Sequence, residues 1–335
     1  ARTASLVVVP DAYADPRFNP DIDRQTGYHT RNILSVPLVT PDRQVIGVLQ
    51  LLNKRQGGFD LTDQRLAGTL GALIAMAIKR QMLLDAAAEK DRLEHDLAIA
   101  RQIQMQLLPE TNPHVPGFDV AGWNQPADQT GGDCYGFLPL GADRLLFFIA
   151  DASGHGIGPA LVVTQCRAMI RAMADWGESL SEMAARVNRL LCQDLPAGRF
   201  VTACFGILDA PARRLEYVSA GHGPLLLFLA NSKEVRSFGA TGLPMAIVEE
   251  AEYPSAERID LAPGDTFLLL TDGFVEWTCP DGGQYGQQRL TRVIRAHCDV
   301  PCADLIQLIY RDVRRFTQTT PQADDLTAVV IRADA

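Results

Sequence analysis

The spacing of apolar positions changes several times along this chain, and each change marks an element. Leu6 to Val9 reads as a short strand. "RNILSVPLVT" and "VIGVLQLLNK" read as two more, rich in β-branched and aliphatic residues, with "PDRQ" (Pro41 to Gln44) as a hairpin turn between them. From Thr62 the period becomes helical through Leu66, Leu70, Leu73 and Ala77, with Asp60 or Thr62 as the cap. Met76 to Leu107 contains neither Gly nor Pro and predicts one long helix. Met76, Leu83 and Leu97 stand on one seven-residue repeat, and Ala86, Leu93, Ala100 and Leu107 on another. Lys90 and Gln104 interrupt the seam. Such a coiled-coil seam either packs on its own domain or pairs with a second copy. Lying between two domains, it predicts a homodimer. Pro109 ends the helix, and "PETNPHVPG" is a proline-rich linker.

Beyond the linker, strand-like runs dominate: Phe118 to Trp123, Arg144 to Ala150, Val201 to Leu208, Leu215 to Ser219, Leu225 to Leu229, Phe267 to Leu270 and Ala328 to Ile331. Helical patterns cover Gly158 to Ala174, Leu180 to Cys192, Gln287 to Cys298 and Ala303 to Phe316. Strands and helices do not alternate strictly, which predicts a mixed α+β layering rather than a doubly wound parallel sheet. The expected domains are 1–80, a helical and Pro-rich linker over 81–116, and 117–335.

Composition narrows the partners. A chain of 335 residues that is 47% hydrophobic supports about two domains. A formal net charge of -9 and the lack of a basic patch argue against nucleic acid or an anionic membrane surface as partner. No apolar run reaches the ~18 residues of a membrane span and no signal-peptide pattern is visible, so a cytoplasmic protein without a membrane partner is expected. The seven cysteines form no C-x-x-C, which fits a reducing compartment. His297, Cys298 and Cys302 lie close together. Without a second ligand pair at suitable spacing they read as ordinary helix residues rather than a zinc site.

The candidate chemistry lies in acids at strand ends. Asp133 follows Gly131 and Gly132. Asp151 ends "LLFFIA" and precedes Ala152, Ser153 and Gly154. Asp272 ends "FLLLT" and precedes Gly273. Asp324 and Asp325 directly precede "TAVVIRA". A strand-end Asp taken alone is a turn or cap residue. Several gathered at the edge of apolar strands repel one another and resist desolvation. A shared divalent cation removes both problems, and an all-oxygen ligand set suits Mg²⁺ or Mn²⁺. His155 and His222, both in "GHG", read as hydrogen-bonding turn residues or as a general acid. Ser153 lacks the G-x-S-x-G frame of a nucleophile.

Two resemblances emerge from these stretches. "DAYADPRFNPDIDRQTGY", "ILSVPL", "IGVLQLLNK" and "FDLTDQRLAGTLGALIAMAI" resemble the second half of a GAF sensor domain, an α/β fold. Asn53, Lys54, Phe59 and Asp63 follow the N-K…F-x-x-x-D-E motif of cyclic-nucleotide-binding members, with Gln64 in place of Glu. The family's first half has no counterpart here, so a small-molecule ligand for this portion stays unassigned, and Lys54 with Asp63 is expected to pin a loop to the helix. A reading of the protein as a nucleotide sensor rests on this portion alone. Further on, "LAIARQIQMQLLP", "GGDCYGF", "IADASGHGIGPAL", "SAGHGP", "TGLPMAI", "LLLTDGFVEW" and "DDLTAVVI" occur in the order seen in PPM-class metal-dependent serine/threonine phosphatases. The likeness is to the branch of the stage II sporulation and stress-response sigma-regulator phosphatases, over about residues 97 to 332.

That resemblance implies a β-sandwich flanked by helices. It implies two Mn²⁺ or Mg²⁺ ions at one end, held by Asp133, Asp151, Asp272 and Asp324 and by the Ala152 carbonyl. Asp324 fits the ligand slot better than its neighbour Asp325, which joins the set from a supporting position. The ions make water nucleophilic toward phosphoserine or phosphothreonine, and the implied substrate is a phosphorylated anti-sigma-factor antagonist. Where the branch commonly reads G-G-D-[YF]-[YF]-D, this chain has Cys134 and Gly136. Gly136 opens a competing reading, a degenerate phosphatase that serves as a phosphoprotein-binding scaffold.

Overall fold

The computed structural model describes residues 4–174, 177–255 and 258–334. The chain divides into two units, Ala1–His95 and Asp96–Ala335, each with its own core. The division falls inside the long helix, rather than at either end of the expected linker.

The first unit runs β1 (Val7–Val9), α1 (Asp21–Thr26), β2 (Ile33–Val39), β3 (Val45–Leu52) and the start of α2 (Leu61–Leu107). The strands form an antiparallel sheet in the order β1-β2-β3. Thr40 N donates to Gln44 O across the predicted hairpin turn (2.9 Å). Asp60 caps α2, its Oδ1 accepting from Thr62 N (2.8 Å) and Asp63 N (3.0 Å). Lys54 Nζ bonds Asp63 and Asp60, so the loop is pinned to the helix as expected.

Ala67, Gly71 and Ala75 recur every four residues on α2 and are the positions it buries. A Cβ on Gly71 would lie 2.8 Å from Val36 Cγ1, so the helix can approach the sheet this closely only with hydrogen there. One sequence expectation needs correction: α2 does contain an 18-residue window of mean hydropathy 1.2, 17% of it buried, which passes a length-and-composition test for a membrane span. Leu66, Leu70, Leu73, Ile74 and Ile78 account for most of that value. The uncharged run from Leu66 to Ile78, bounded by Arg65 and Lys79, is shorter than the ~20 residues a span needs, and its small residues are those packed on the sheet.

The second unit continues with the end of α2 and then β4 (Phe118–Gln125), β5 (Asp133–Pro139), β6 (Arg144–Ala152), α3 (Ile157–Met173), α4 (Leu180–Asp194), β7 (Val201–Asp209), β8 (Arg214–Ala220), β9 (Leu225–Leu229), β10 (Glu234–Phe238), β11 (Ile259–Asp260), β12 (Thr266–Leu270), α5 (Gly273–Glu276), α6 (Gln287–Ala296), α7 (Cys302–Thr317) and β13 (Leu326–Ala333). Two antiparallel five-stranded sheets result, β10-β9-β12-β13-β4 and β11-β8-β7-β6-β5. Phe137, Phe147, Ile149 and Tyr217 of one sheet meet Phe118, Phe267, Leu269 and Ile331 of the other in a shared core. Helices α3 and α4 cover the outer face of the β5–β8 sheet, and α5 to α7 cover the other. This is the helix-flanked β-sandwich the sequence implied. Strand β6 is buried on both faces, which is why "LLFFIA" shows no polar alternation. Strand β5 escaped the sequence reading because "DCYGFLP" carries a glycine and ends in proline, both of which read as turn.

Candidate metal centre

Register brings the first two acids together. In the β5–β6 ladder Asp133 stands directly opposite Asp151, which in turn faces Thr202 on β7. Both acids continue the strand faces that carry Phe137, Phe147 and Ile149 into the inter-sheet core, so they close that core at one end. Asp133 is 3% exposed. Its Oδ2 accepts from Thr327 Oγ1 of β13 (2.6 Å), a bond between the two sheets. Asp272 follows β12 and opens α5, while Asp324 and Asp325 lead into β13, the neighbour of β12.

Electrostatics shows how near these carboxyls lie. Burial, then Asp151 and Asp325, push the Asp133 carboxyl well above the usual carboxylate range. Burial and then the charges of Asp272 and Asp324 raise Asp151 to about 7, against a hydrogen bond with Asp133 that lowers it. Asp272 is raised to about 6 by burial, then by Asp324 and Glu276. These acids repel one another, and each charged form is disfavoured. Among the described residues no three His, Cys, Asp or Glu side chains are gathered tightly enough to enclose an ion as they stand. That statement covers His297, Cys298 and Cys302 too: Cys302 is buried with its thiol on Asp119 O (3.3 Å), and Cys298 lies beside Lys233 Nζ (3.6 Å).

Asp325, grouped above with the metal-binding acids, is engaged differently. Its Oδ1 accepts from Ala127 N (2.7 Å) and its Oδ2 from Asp133 N (3.3 Å), so its carboxylate anchors the loop that delivers Asp133. Asp324 is exposed and accepts from Asp325 N through Oδ1 (2.8 Å). A Cβ on Gly131 would lie 2.6 Å from Asp325 Oδ2, and one on Gly132 would lie 3.0 Å from the Ala152 carbonyl oxygen. Gly131 is therefore a condition for the close approach of Asp325, and Gly132 for that of the Ala152 carbonyl.

Gly136 lies on the opposite face of β5 from Asp133. A Cβ there would lie 2.4 Å from the Phe148 ring, so the missing acid reflects packing beneath α3. The two histidines differ. His155 is exposed, with Nδ1 3.6 Å from Asp128. His222 is buried beside Thr202 Oγ1 (3.1 Å), and burial pushes its pKa down to about 4, leaving a neutral ring in a structural position.

Three further residues support the site; of these the sequence marks only Gln104, as a break in the helical seam and not as part of the site. Thr327 orients Asp133 and also accepts from Asn124 Nδ2 (2.8 Å); its one signal is a polar residue within an apolar strand. Gln104, in the last turn of α2, donates to Gly131 O (2.6 Å) and accepts from Gly131 N (3.0 Å). Arg199 donates through Nη1 to Ser153 O (2.8 Å).

The first unit has a separate cavity of about 970 Å³ on one face of its sheet, lined by Val7, Phe18, Tyr28, Ile33, Val48 and Gln50 among others. The buried Asp23 beside it already accepts from Thr30 N (2.6 Å), Thr30 Oγ1 (2.8 Å) and Tyr13 OH (3.1 Å).

Comparison with known proteins matches this architecture. The phosphoserine phosphatase RsbU of Bacillus subtilis (strain 168) is 25% identical over 243 residues, covering 72% of this chain and 71% of that one. The phosphoserine phosphatase RsbP of the same organism is 26% identical over 244 residues, 71% of this chain and 58% of that relative. In fold, the chain resembles the SiaA-PP2C domain of Pseudomonas aeruginosa, with TM-score 0.64, 24% identity, and coverage of 74% of this chain and 99% of that one. It also resembles the RsbU and RsbW domains of Rv1364c from Mycobacterium tuberculosis, with TM-score 0.55, 29% identity, and coverage of 67% and 62%. Residues 1–78 match the GAF domain, and residues 141–334 match the model of stage II sporulation protein E (SpoIIE). With that match spanning more than half its length, the chain belongs to the SpoIIE family of PPM-type phosphatases and carries a GAF domain ahead of it.

Proposed function

We infer that this chain is a metal-dependent protein serine/threonine phosphatase that acts on a phosphorylated protein in bacterial sigma-factor regulation. The observation that carries the reading is the strand register that sets Asp133 opposite Asp151 at one end of the inter-sheet core, with Asp272 and Asp324 close enough to help raise Asp151 to about 7. Family membership and likeness to two phosphoserine phosphatases support it. The all-oxygen donor set fits hard divalent cations. Two Mg²⁺ or Mn²⁺ ions held by Asp133, Asp151, Asp272, Asp324 and the Ala152 carbonyl would supply an activated water and offset charge on the phosphoryl oxygens.

The protein's own part is positioning. Thr327 fixes the rotamer of Asp133, and Asp325 holds the loop before it. Gly132 leaves the Ala152 carbonyl open to close approach. Gly154 and Gly156, at φ +96° and +88°, turn the chain sharply after that carbonyl. The substrate proposed is a phosphorylated anti-sigma-factor antagonist in the cytoplasm. The proposed homodimer uses α2, where Leu83, Leu93, Ile99 and Ile103 are exposed. The degenerate-scaffold reading loses its motive, since Gly136 lies away from the acids. The test is release of phosphate from a phosphoserine antagonist: Mn²⁺-dependent in the native chain and absent in Asp272→Asn. Metal-independent or absent turnover would refute the reading.

A further inference from the structure

We propose that Arg199 is the residue that grips the substrate's phosphoryl group, an inference that rests on the phosphatase reading above. Arg199 lies in the turn between α4 and β7, just before Val201, which pairs with Ala152 in the β6–β7 ladder. Its backbone neighbourhood is stitched to the chain that leaves the acids: Ser153 N donates to Phe200 O (3.0 Å), and Phe200 N donates to Ser153 Oγ (3.1 Å). The guanidinium folds back over this turn, and Nη1 donates to Ser153 O, the carbonyl directly after that of Ala152. Gly154 makes room for it, because a Cβ there would lie 2.6 Å from Nη1. The position of a Cβ on Gly132 lies within 3.0 Å of Ala152 O and 3.4 Å of Gly154 O. Arg199 therefore borders the same few residues that surround Asp133 and Asp151.

Charge and geometry then point to one ligand. Among the described residues no carboxylate forms an ion pair with Arg199, and Nε and Nη2 make no hydrogen bond. The side chain is exposed and tethered at one nitrogen, which leaves Nε and Nη2 available to a ligand beside this turn. Four carboxylates and two divalent ions balance near zero, and an incoming phosphoserine dianion brings uncompensated negative charge. A planar guanidinium with its Nε/Nη2 edge unused matches phosphoryl oxygens in a forked, charge-assisted arrangement.

The test compares the native chain with Arg199→Ala, Arg199→Gln and Arg199→Lys, each loaded with Mn²⁺. Inorganic phosphate binding is read by calorimetry, and KM and kcat are read on a phosphoserine peptide. Removing the cation is expected to weaken phosphate binding and raise KM by roughly 10- to 100-fold. Lys is expected to recover part of the loss. Gln keeps a donor for Ser153 O without charge, and is expected to behave as Ala does. The Mn²⁺ concentration for half-maximal effect is expected to stay unchanged. Unaltered phosphate affinity and KM in the Ala and Gln variants would overturn the assignment. So would a shifted Mn²⁺ requirement with unaltered phosphate affinity, which makes Arg199 a brace for the turn alone. Failure of the native chain to hydrolyse the peptide sinks the phosphatase reading, whereas the calorimetric comparison bears on Arg199 by itself.

Discussion

The side-chain amide of Gln104 forms two hydrogen bonds with the backbone of Gly131, one donated and one accepted. The last turn of α2 is thereby fastened to the loop whose next residues are Gly132 and Asp133. Gln104 interrupts the apolar seam of its helix, and this pairing is the structural reason for the interruption. Replacement by Ala removes both bonds, at a cost of about 0.5–1.5 kcal/mol each. Gln104→Ala is expected to raise the Mn²⁺ concentration needed for half-maximal activity about tenfold, and a metal titration of peptide hydrolysis measures this. An unchanged titration curve would detach the helix from the metal centre.

The raised carboxyls make the metal-free protein sensitive to pH in a definite direction. An unfolded aspartate titrates near ~3.9. Asp151 at about 7 and Asp272 at about 6 hold their protons more tightly when folded. Their contribution to stability is complete below the unfolded value and is lost as pH rises through about 6 and then about 7. Aspartates lowered by their partners, such as Asp15 and Asp23, act in the opposite sense and have saturated by pH 5. The chelated protein is therefore expected to melt lower at pH 8 than at pH 5, and Mn²⁺ to reverse the trend. Asp151→Asn is expected to flatten the slope and to abolish hydrolysis. Calorimetric scans across pH, with and without Mn²⁺, check both.

Thr327→Val keeps the shape of the side chain and removes its hydroxyl. Asp133 Oδ2 loses its donor, and the Asn124 amide loses an acceptor. Leaving such buried groups unpaired costs about 1–3 kcal/mol. A lower denaturation midpoint is expected together with weakened Mn²⁺ activation, because the Asp133 rotamer is no longer fixed. Denaturant titration and metal titration on one preparation measure the pair of effects.

Gly136→Asp would supply the second acid that the resemblance to the phosphatase motif implies at this position, and is expected to harm the protein. The new Cβ would lie 2.4 Å from the Phe148 ring, and the carboxylate would be buried between β5 and α3. Overpacking alone costs about 1–3 kcal/mol, and the unpaired buried charge adds to it. A fall in melting temperature without tighter Mn²⁺ binding is the expected outcome.

The exposed apolar positions on α2 give a test of self-association. Leu83 is 61% and Leu93 55% exposed. Leu83→Lys with Leu93→Lys is expected to shift sedimentation of the chain from dimer to monomer, with the melting of each unit little changed.

Much of the fold was legible because burial writes itself plainly into some elements. Strand β6 is covered on both faces, so its run of apolar residues is unbroken, and the acid that ends it stands out. Asp133, Asp272 and Asp324 were proposed from the same contrast. Residues that acquire their role only through folding were not legible. Gln104 acts on a backbone 27 residues away, Arg199 on one 46 away and Thr327 on a carboxylate 194 away. Gln104 shows only as a break in its seam, Thr327 only as a polar residue in an apolar strand and Arg199 not at all, and none of these signals names the partner. Asp325 shows the converse limit. Adjacent to Asp324 and alike in chemistry, it is buried where Asp324 is exposed, with the Ala127 and Asp133 amides on its oxygens.

The pairing of Asp133 with Asp151 ties chemistry to strand alignment. Successive side chains on β5 point to opposite faces, so sliding it by a single position against β6 would present Cys134 where Asp133 belongs and turn the acid toward the helices. The misaligned sheet would still be compact and rich in apolar contacts. Inactive protein of native-like size and secondary structure is therefore a distinct hazard for this chain, one that spectroscopy of the backbone would miss and binding of the ion would reveal.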